Sequence, residues 1–212
     1  LQLISAFSSM FNARSIIDGL SLMNESSIGN QISVPTLNIS DEGLHPQNVG
    51  SFSFDGEGTP TQNIKLVSDG KLINLLHSEA TARKFGVNPT GHAGLGAKVS
   101  VSPDWLVVSK SFTEIDKDEN LNIKNTHKEF VQIDELSAIH SGVKASQGSF
   151  SLPFDGWIVK NGKKTSIEAA TVGGDILKIL NSIVKIENEQ IVTHQGISPH
   201  VWVENVSITG EA

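Results

Sequence analysis

The sequence predicts an α+β fold, predominantly antiparallel β with a few short helices. Three observations carry this. Two dipeptides, Asp69-Gly70 and Asn161-Gly162, each stand between apolar runs, the pattern of a two-residue type I′ hairpin. Alternating runs recur along the chain, among them Lys98 to Val101 and Trp105 to Phe112. Apolar residues at helical spacing are confined to short stretches.

In chain order, residues 1–23 place Leu3, Phe7, Met10 and Phe11 at spacings that suit an amphipathic helix. Residues 24–50 are rich in Asn, Ser and Gly around a short strand, Ile32 to Ile39, which Pro35 confines to a sheet edge. Asp41-Glu42-Gly43 and His45-Pro46 mark a loop. The stretch from Phe52 to Gly86 is the centre of the chain. It opens with a tight acidic loop, Asp55-Gly56-Glu57-Gly58-Thr59-Pro60, and continues as a hairpin, Ile64 to Val67 and Leu72 to Leu75. It closes as a helical run through Glu79, Ala80, Ala82 and Arg83, with Gly86 in a C-terminal cap position. A second glycine-rich loop, Val87 to Gly94, leads to strands turned at Pro103-Asp104.

The polar run from Thr113 to Lys128 reads as a solvated excursion. Asp134 is placed to cap a helix from Asp134 to His140, ending at Gly142. Gly173-Gly174-Asp175 introduces Ile176, Ile179, Leu180 and Ile183 at helical spacing, and Ser198-Pro199-His200 opens a last strand, Val201 to Ile208. The two hairpin-then-helix units resemble a distant internal duplication.

Several of these segments together resemble the TldD/PmbA (TldE) family, known as modulators of gyrase or microcin-processing proteins. FDGEGTPTQ, a strand, DGKL, a second strand and TARKFG follow that family's D-D/G-E-G-x-P-T loop, N-G-x-L hairpin and T/S-A-R-K/L-x-G segment in order. Gln147-Gly148-Ser149-Phe150-Ser151 keeps its Gly-x-Phe-Ser frame, with Ser149 where Asp is usual. Gly156-Trp157-Ile158-Val159-Lys160-Asn161-Gly162-Lys163 and Glu168 to Asp175 extend the likeness over nearly the whole chain.

The resemblance gives the first helix a sharper meaning. In the TldD branch the equivalent helix carries H-E-x-x-x-H, whose histidines bind the metal and whose Glu is the general base. Here Ser5 and Met10 stand where those histidines would be, and Ala6 where the Glu would be. A hydroxyl and a thioether are poor zinc ligands, and alanine accepts no proton. The PmbA/TldE branch has a G-A-F-S-S-like sequence there, which Ala6-Phe7-Ser8-Ser9 matches. The catalytic branch also draws a ligand from a C-terminal cysteine, and this chain has no cysteine.

The chain of 212 residues carries a net charge of −7 and 38% hydrophobic residues, which suits one globular domain. No basic block exists to neutralise phosphates or an anionic membrane, which argues against both as partners. No apolar run approaches a membrane span, and no N-terminal signal pattern is seen. Residue 1 is Leu, and with the resemblance this leads to the expectation of a single C-terminal domain over 1–212, a piece of a longer chain.

No histidine pair is spaced i, i+4 around a Glu. His194 and His200 lie six apart in a loop, where surface or core-edge histidines are favoured over a metal role. His77 beside Glu79 could make an acid–base pair, although strand alternation already explains both of those residues. Asp55 and Glu57 stand two apart and share a face if extended. Such a pair serves general acid–base catalysis when its environments differ, although a loop cap or an anchor for a basic partner is the favoured use. No G-x-S-x-G elbow or phosphate-binding Lys-Ser/Thr is present.

What the resemblance implies is an accessory, non-catalytic PmbA/TldE-like subunit of a cytoplasmic zinc metalloprotease, acting on unfolded or leader peptides. The zinc belongs to a TldD-like partner, and no cofactor is expected in this chain. Asp55, Glu57, Gly58, Thr61, Gly148, Ser149 and Phe150 are the expected peptide or partner contacts. Two alternatives stay open: a stand-alone, homo-oligomeric peptide-binding or structural β module, and a hydrolase using Asp55, Glu57 and the histidines.

Overall fold

The computed structural model describes residues 1–111 and 129–211. Strands dominate it, mostly antiparallel, with short helices at their ends. They form a six-stranded sheet, a five-stranded sheet and a two-stranded ribbon.

The six-stranded sheet runs β11 (Ile183–Thr193), β12 (Gly196–Val203), β6 (Leu106–Lys110), β1 (Leu37–Glu42), β2 (Asn63–Ser68) and β3 (Lys71–Leu72). All its neighbours are antiparallel except β12 and β6, which pair in parallel through Gly196–Leu106 and Ile197–Val107. The second sheet runs β13 (Ser207–Glu211), β10 (Lys163–Asp175), β9 (Ser149–Lys160) and β7 (Glu129–Leu136), with β8 (Val143–Lys144) also on β9. The ribbon joins β4 (Ala93–Gly94) to β5 (Ser100–Val101).

Both predicted hairpin turns form, although the second strand of the first is only Lys71–Leu72 rather than Leu72 to Leu75. Asp69 and Gly70 have φ of 48° and 75°, Asn161 and Gly162 of 48° and 79°, so both central residues are left-handed, as a type I′ turn requires. Strand β9 shows how alternation becomes a layer. Phe150, Leu152 and Phe154 are buried on one face, while Ser151, Pro153 and Asp155 are exposed on the other.

The N-terminal segment is three short pieces rather than one helix. Helix α1 (Gln2–Ala6) gives way to a 3₁₀ turn, Ser8–Phe11, and then α2 (Ala13–Ile17). Asn12 causes the last break: it is extended, and its side chain accepts from the amides of Arg14 and Ser15 as an N-cap. Phe11 and Ala13 also exchange main-chain hydrogen bonds with Leu76. Phe7, Met10 and Phe11 are thereby driven between the sheets, in one core with Ile39, Leu66, Leu72, Leu152, Phe154 and Ile176.

Helix α3 (Glu79–Phe85) follows its sequence signals: a capping box of Ser78 and Thr81 at one end and Gly86 at φ 69° at the other. Helix α5 (Ile176–Asn181) starts at Asp175, whose side chain accepts from the Lys178 amide.

Four expectations are corrected. The strand read at Ile32 to Ile39 runs from Leu37 to Glu42, inside the sheet, with Pro35 before it. Asp41 and Glu42 therefore belong to a strand, not a loop. Asp134 lies within β7, where it accepts from the Trp157 indole at 2.8 Å, and the helix there is only α4 (Ile139–Gly142). The last strand is two strands in different sheets, broken at Asn205 with φ 57°. The excursion from Thr113 to Lys128 lies outside the described residues.

Candidate functional site

The acidic loop and the glycine-rich loop after α3 converge on the end of the six-stranded sheet. Asp55 organises the first of them. Its Oδ1 accepts the amides of Glu57 and Thr59, both at 2.9 Å, and its Oδ2 accepts the amide of Ala93 at 2.9 Å. Glu57 reaches the start of α3, where its Oε2 accepts the Glu79 amide at 2.7 Å, a favourable place for a negative charge. The two carboxylates thus diverge, each engaged by backbone donors.

Gly58 carries a φ of 82° in the turn. Thr61 is buried and donates its amide to Ser53. Gly91, at φ 78°, lies so close to this segment that a Cβ would stand 2.4 Å from the Pro60 carbonyl. That close approach seats His92 in the interior.

Around His92 the structure assembles a buried polar group that the sequence does not announce. Asp41 and His92 side chains have no solvent exposure, and Asp41 Oδ1 is 3.3 Å from His92 Nε2. This separation is within ion-pair range, yet Nε2 makes no aligned hydrogen bond. Asp41 also accepts the amides of Asp104, at 2.8 Å, and Trp105, at 3.4 Å. The Thr90 hydroxyl meets His92 Nδ1 at 3.0 Å and accepts the His77 amide at 2.8 Å, while His77 Nδ1 stands 3.3 Å from the Thr81 hydroxyl. Asp41, His92 and Asp104 each bring one potential ligand atom within 4.8 Å of the others, the one such trio among the described residues.

The electrostatics follow from this packing. Burial alone would lower the His92 pKa, but the carboxylates of Asp41 and Asp104 outweigh it and hold the ring above its ordinary value. His77, which lacks such a partner, is pushed down by burial. Asp104 is raised by desolvation of its inner side, opposed by His92 and reinforced by Asp41 and Asp55, although the residue as a whole is exposed.

Asp104 also borders a groove of about 340 Å³ shared with Ser5, Ser8, His194 and Gln195. So Ser5 faces the groove, whereas Met10 is 1% exposed and packs in the core. Ala6, half-buried, has no donor atom to offer. The zinc that the family resemblance implies therefore does not fit these three positions: no set of ligands converges there. The remaining expected contacts lie elsewhere. Gly148 turns with a φ of 74°, Ser149 begins β9, and Phe150 is buried edge-to-face on Phe7 at 6.2 Å. They are not brought together with Asp55 and Glu57.

Asp41 and Asp104 carry no sequence signal, because each stands in an ordinary turn-like phrase far from His92. The one available hint is Thr-Gly-His at residues 90–92, a histidine in a glycine-rich loop.

A profile of the PmbA/TldA metallopeptidase C-terminal domain matches residues 1–210. The metalloprotease PmbA of Escherichia coli O157:H7 is 28% identical over 166 residues, covering 77% of this chain and 33% of that protein. A metalloprotease of Synechocystis is 36% identical over 88 residues, covering 42% of this chain and 19% of that one. Among solved structures, a protein from Thermotoga maritima described as a candidate modulator of a DNA gyrase superposes with a TM-score of 0.85 at 31% identity, over 99% of this chain and 47% of that one. TldE from Thermococcus kodakarensis shares the fold, with a TM-score of 0.78 at 17% identity, over 98% of this chain and 48% of that one. The chain spans less than half the length of each of these four relatives. Matched by that profile over residues 1–210 and by the Thermotoga structure over 99% of its length, this chain belongs to the PmbA/TldD family, in the part that family's C-terminal domain occupies.

Proposed function

We propose that this chain is an accessory, non-catalytic part of a TldD/TldE-type zinc metalloprotease. A TldD-like partner carries the catalytic zinc, and the substrates are unfolded or leader peptides in the cytoplasm. The observation that carries this reading is the state of the three N-terminal positions: Ser5 at the groove, Ala6 without a donor, and Met10 in the following 3₁₀ turn and buried in the core. The relatives named metalloproteases make the family's chemistry proteolytic, while this chain's own helix offers neither ligand set nor base.

The acidic loop supports a contact role over a catalytic one. Asp55 and Glu57 spend their carboxylates on backbone amides. Phe52 and Phe54 beside them are 75% and 64% exposed, an apolar pair suited to a protein surface. Nothing basic enough for nucleic acid is present in the composition, and among the described residues no helix is long and apolar enough to cross a membrane.

The test is affinity purification of the chain from its native cell, followed by peptidase assays on unfolded peptides. The expected result is recovery of a companion bearing H-E-x-x-x-H, with hydrolysis by the pair and none by this chain alone. Hydrolysis by this chain alone, abolished by Glu57→Gln, would instead establish the hydrolase alternative.

A further inference from the structure

We propose that Asp41, His92 and Asp104 form a binding site for one divalent transition-metal ion, apart from the helix positions that relatives use for catalysis. The starting point is the orphaned nitrogen. His92 is 3% exposed, and its Nδ1 is served by Thr90, whose hydroxyl can accept or donate as the tautomer requires. Nε2 is left buried without a hydrogen bond, aimed at the Asp41 carboxylate. As a bare lone pair it would face a negative oxygen, and as an N–H it is misaligned. A cation between the two groups satisfies both.

The spacing suits an ion. Two donors held about 2.1 Å from a common metal stand roughly 3.0–3.4 Å apart for coordination angles between octahedral and tetrahedral. The His92–Asp41 separation is 3.3 Å. Asp104 is the third ligand, its amide already fixed on Asp41 Oδ2 and its exposed carboxylate bordering the groove. The supporting bonds are those a metal site needs: Thr90 orients the imidazole, and the Asp104 and Trp105 amides orient Asp41. The imidazole favours a transition metal over alkaline-earth ions, and two carboxylates beside it accommodate Zn²⁺, Mn²⁺ or Fe²⁺. The ion also neutralises Asp41, whose carboxylate has no solvent exposure and where an uncompensated charge is costly.

Such an ion would clamp β1, the loop bearing His92 and the turn before β6, holding the family's signature loops against the sheet. It narrows the expectation of an ion-free chain to the helix positions, and it stands or falls separately from the accessory-subunit reading, which concerns peptide hydrolysis.

The experiment is calorimetric titration of the chelator-stripped full chain with Zn²⁺ alone, with Mn²⁺-induced broadening of histidine ring signals as a second measurement that needs no variant. One equivalent should bind, His92 should broaden first, and Asp104→Asn, at an exposed side chain, should weaken binding by about tenfold or more. His194→Ala should leave binding unchanged. Absence of saturable binding at one equivalent, equal affinity in Asp104→Asn, or loss in His194→Ala would overturn the proposal, the last by assigning the ion to a surface histidine.

Discussion

Asp55 offers the sharpest test of how the acidic loop is held. Replacing it by alanine removes the acceptor of three backbone amides, those of Glu57, Thr59 and Ala93, each at 2.9 Å. The Glu57 amide is exposed, so water replaces its partner at little cost. The Thr59 and Ala93 bonds are partly buried, and losing a charged acceptor there costs about 1–2 kcal/mol each, about 2–4 kcal/mol in all. Asp55→Asn separates the two ends of the carboxylate. Its one carbonyl can keep Thr59 and Glu57, but its NH₂ then faces the Ala93 amide, so about half of the loss remains. Urea unfolding at fixed pH measures this as a lower midpoint with an unchanged slope. Amide exchange should localise the change to Thr59 and Ala93. A shift below about 0.5 kcal/mol for Asp55→Ala, the range of an ordinary surface substitution, would refute the idea that this side chain organises the loop.

Three further outcomes are expected. Phe150→Ala, which empties a buried ring packed edge-on to Phe7, should cost about 3–5 kcal/mol in chemical unfolding. Glu57→Gln keeps an acceptor for the Glu79 amide but removes the charge at the start of α3, so stability should fall by about 0.3–1 kcal/mol and less at high salt. His77 has its pKa lowered by burial, so the unfolded state takes up a proton more readily than the folded one. Its stabilising contribution is complete above the unfolded value of about 6.5 and is lost as pH falls through and below it. Stability measured between about pH 7 and pH 5 should therefore decline less steeply in His77→Gln than in the unaltered chain.

Much of the fold is legible where the cause is local. The two glycine-containing turns and the ends of α3 are written in adjacent residues, and all form. The errors share a different cause. Asp134 looks like a helix cap because acidic residues favour that place, but β9 alongside claims it as a strand residue bonded to Trp157. Asn205 interrupts an apolar run that no neighbouring residue marks as broken. Asp41 reads as a loop residue because a carboxylate is rarely placed in a core. Its burial depends on His92 and on the amide of Asp104, contacts that lie far along the chain and leave no periodic trace. A buried polar group is defined by its partners, so pattern alone does not reveal it.

The position of β12 has a consequence for how this polypeptide matures. It fills the gap between β6 and β11 in the larger sheet, and β13, immediately after it, closes one border of the other. Until β12 has left the ribosome, β6 lacks its parallel neighbour and the interior face stays wet. Early collapse can gather the hairpins, but cooperative locking must await these two late strands, leaving unpaired edges open to chaperones or to one another in the interval.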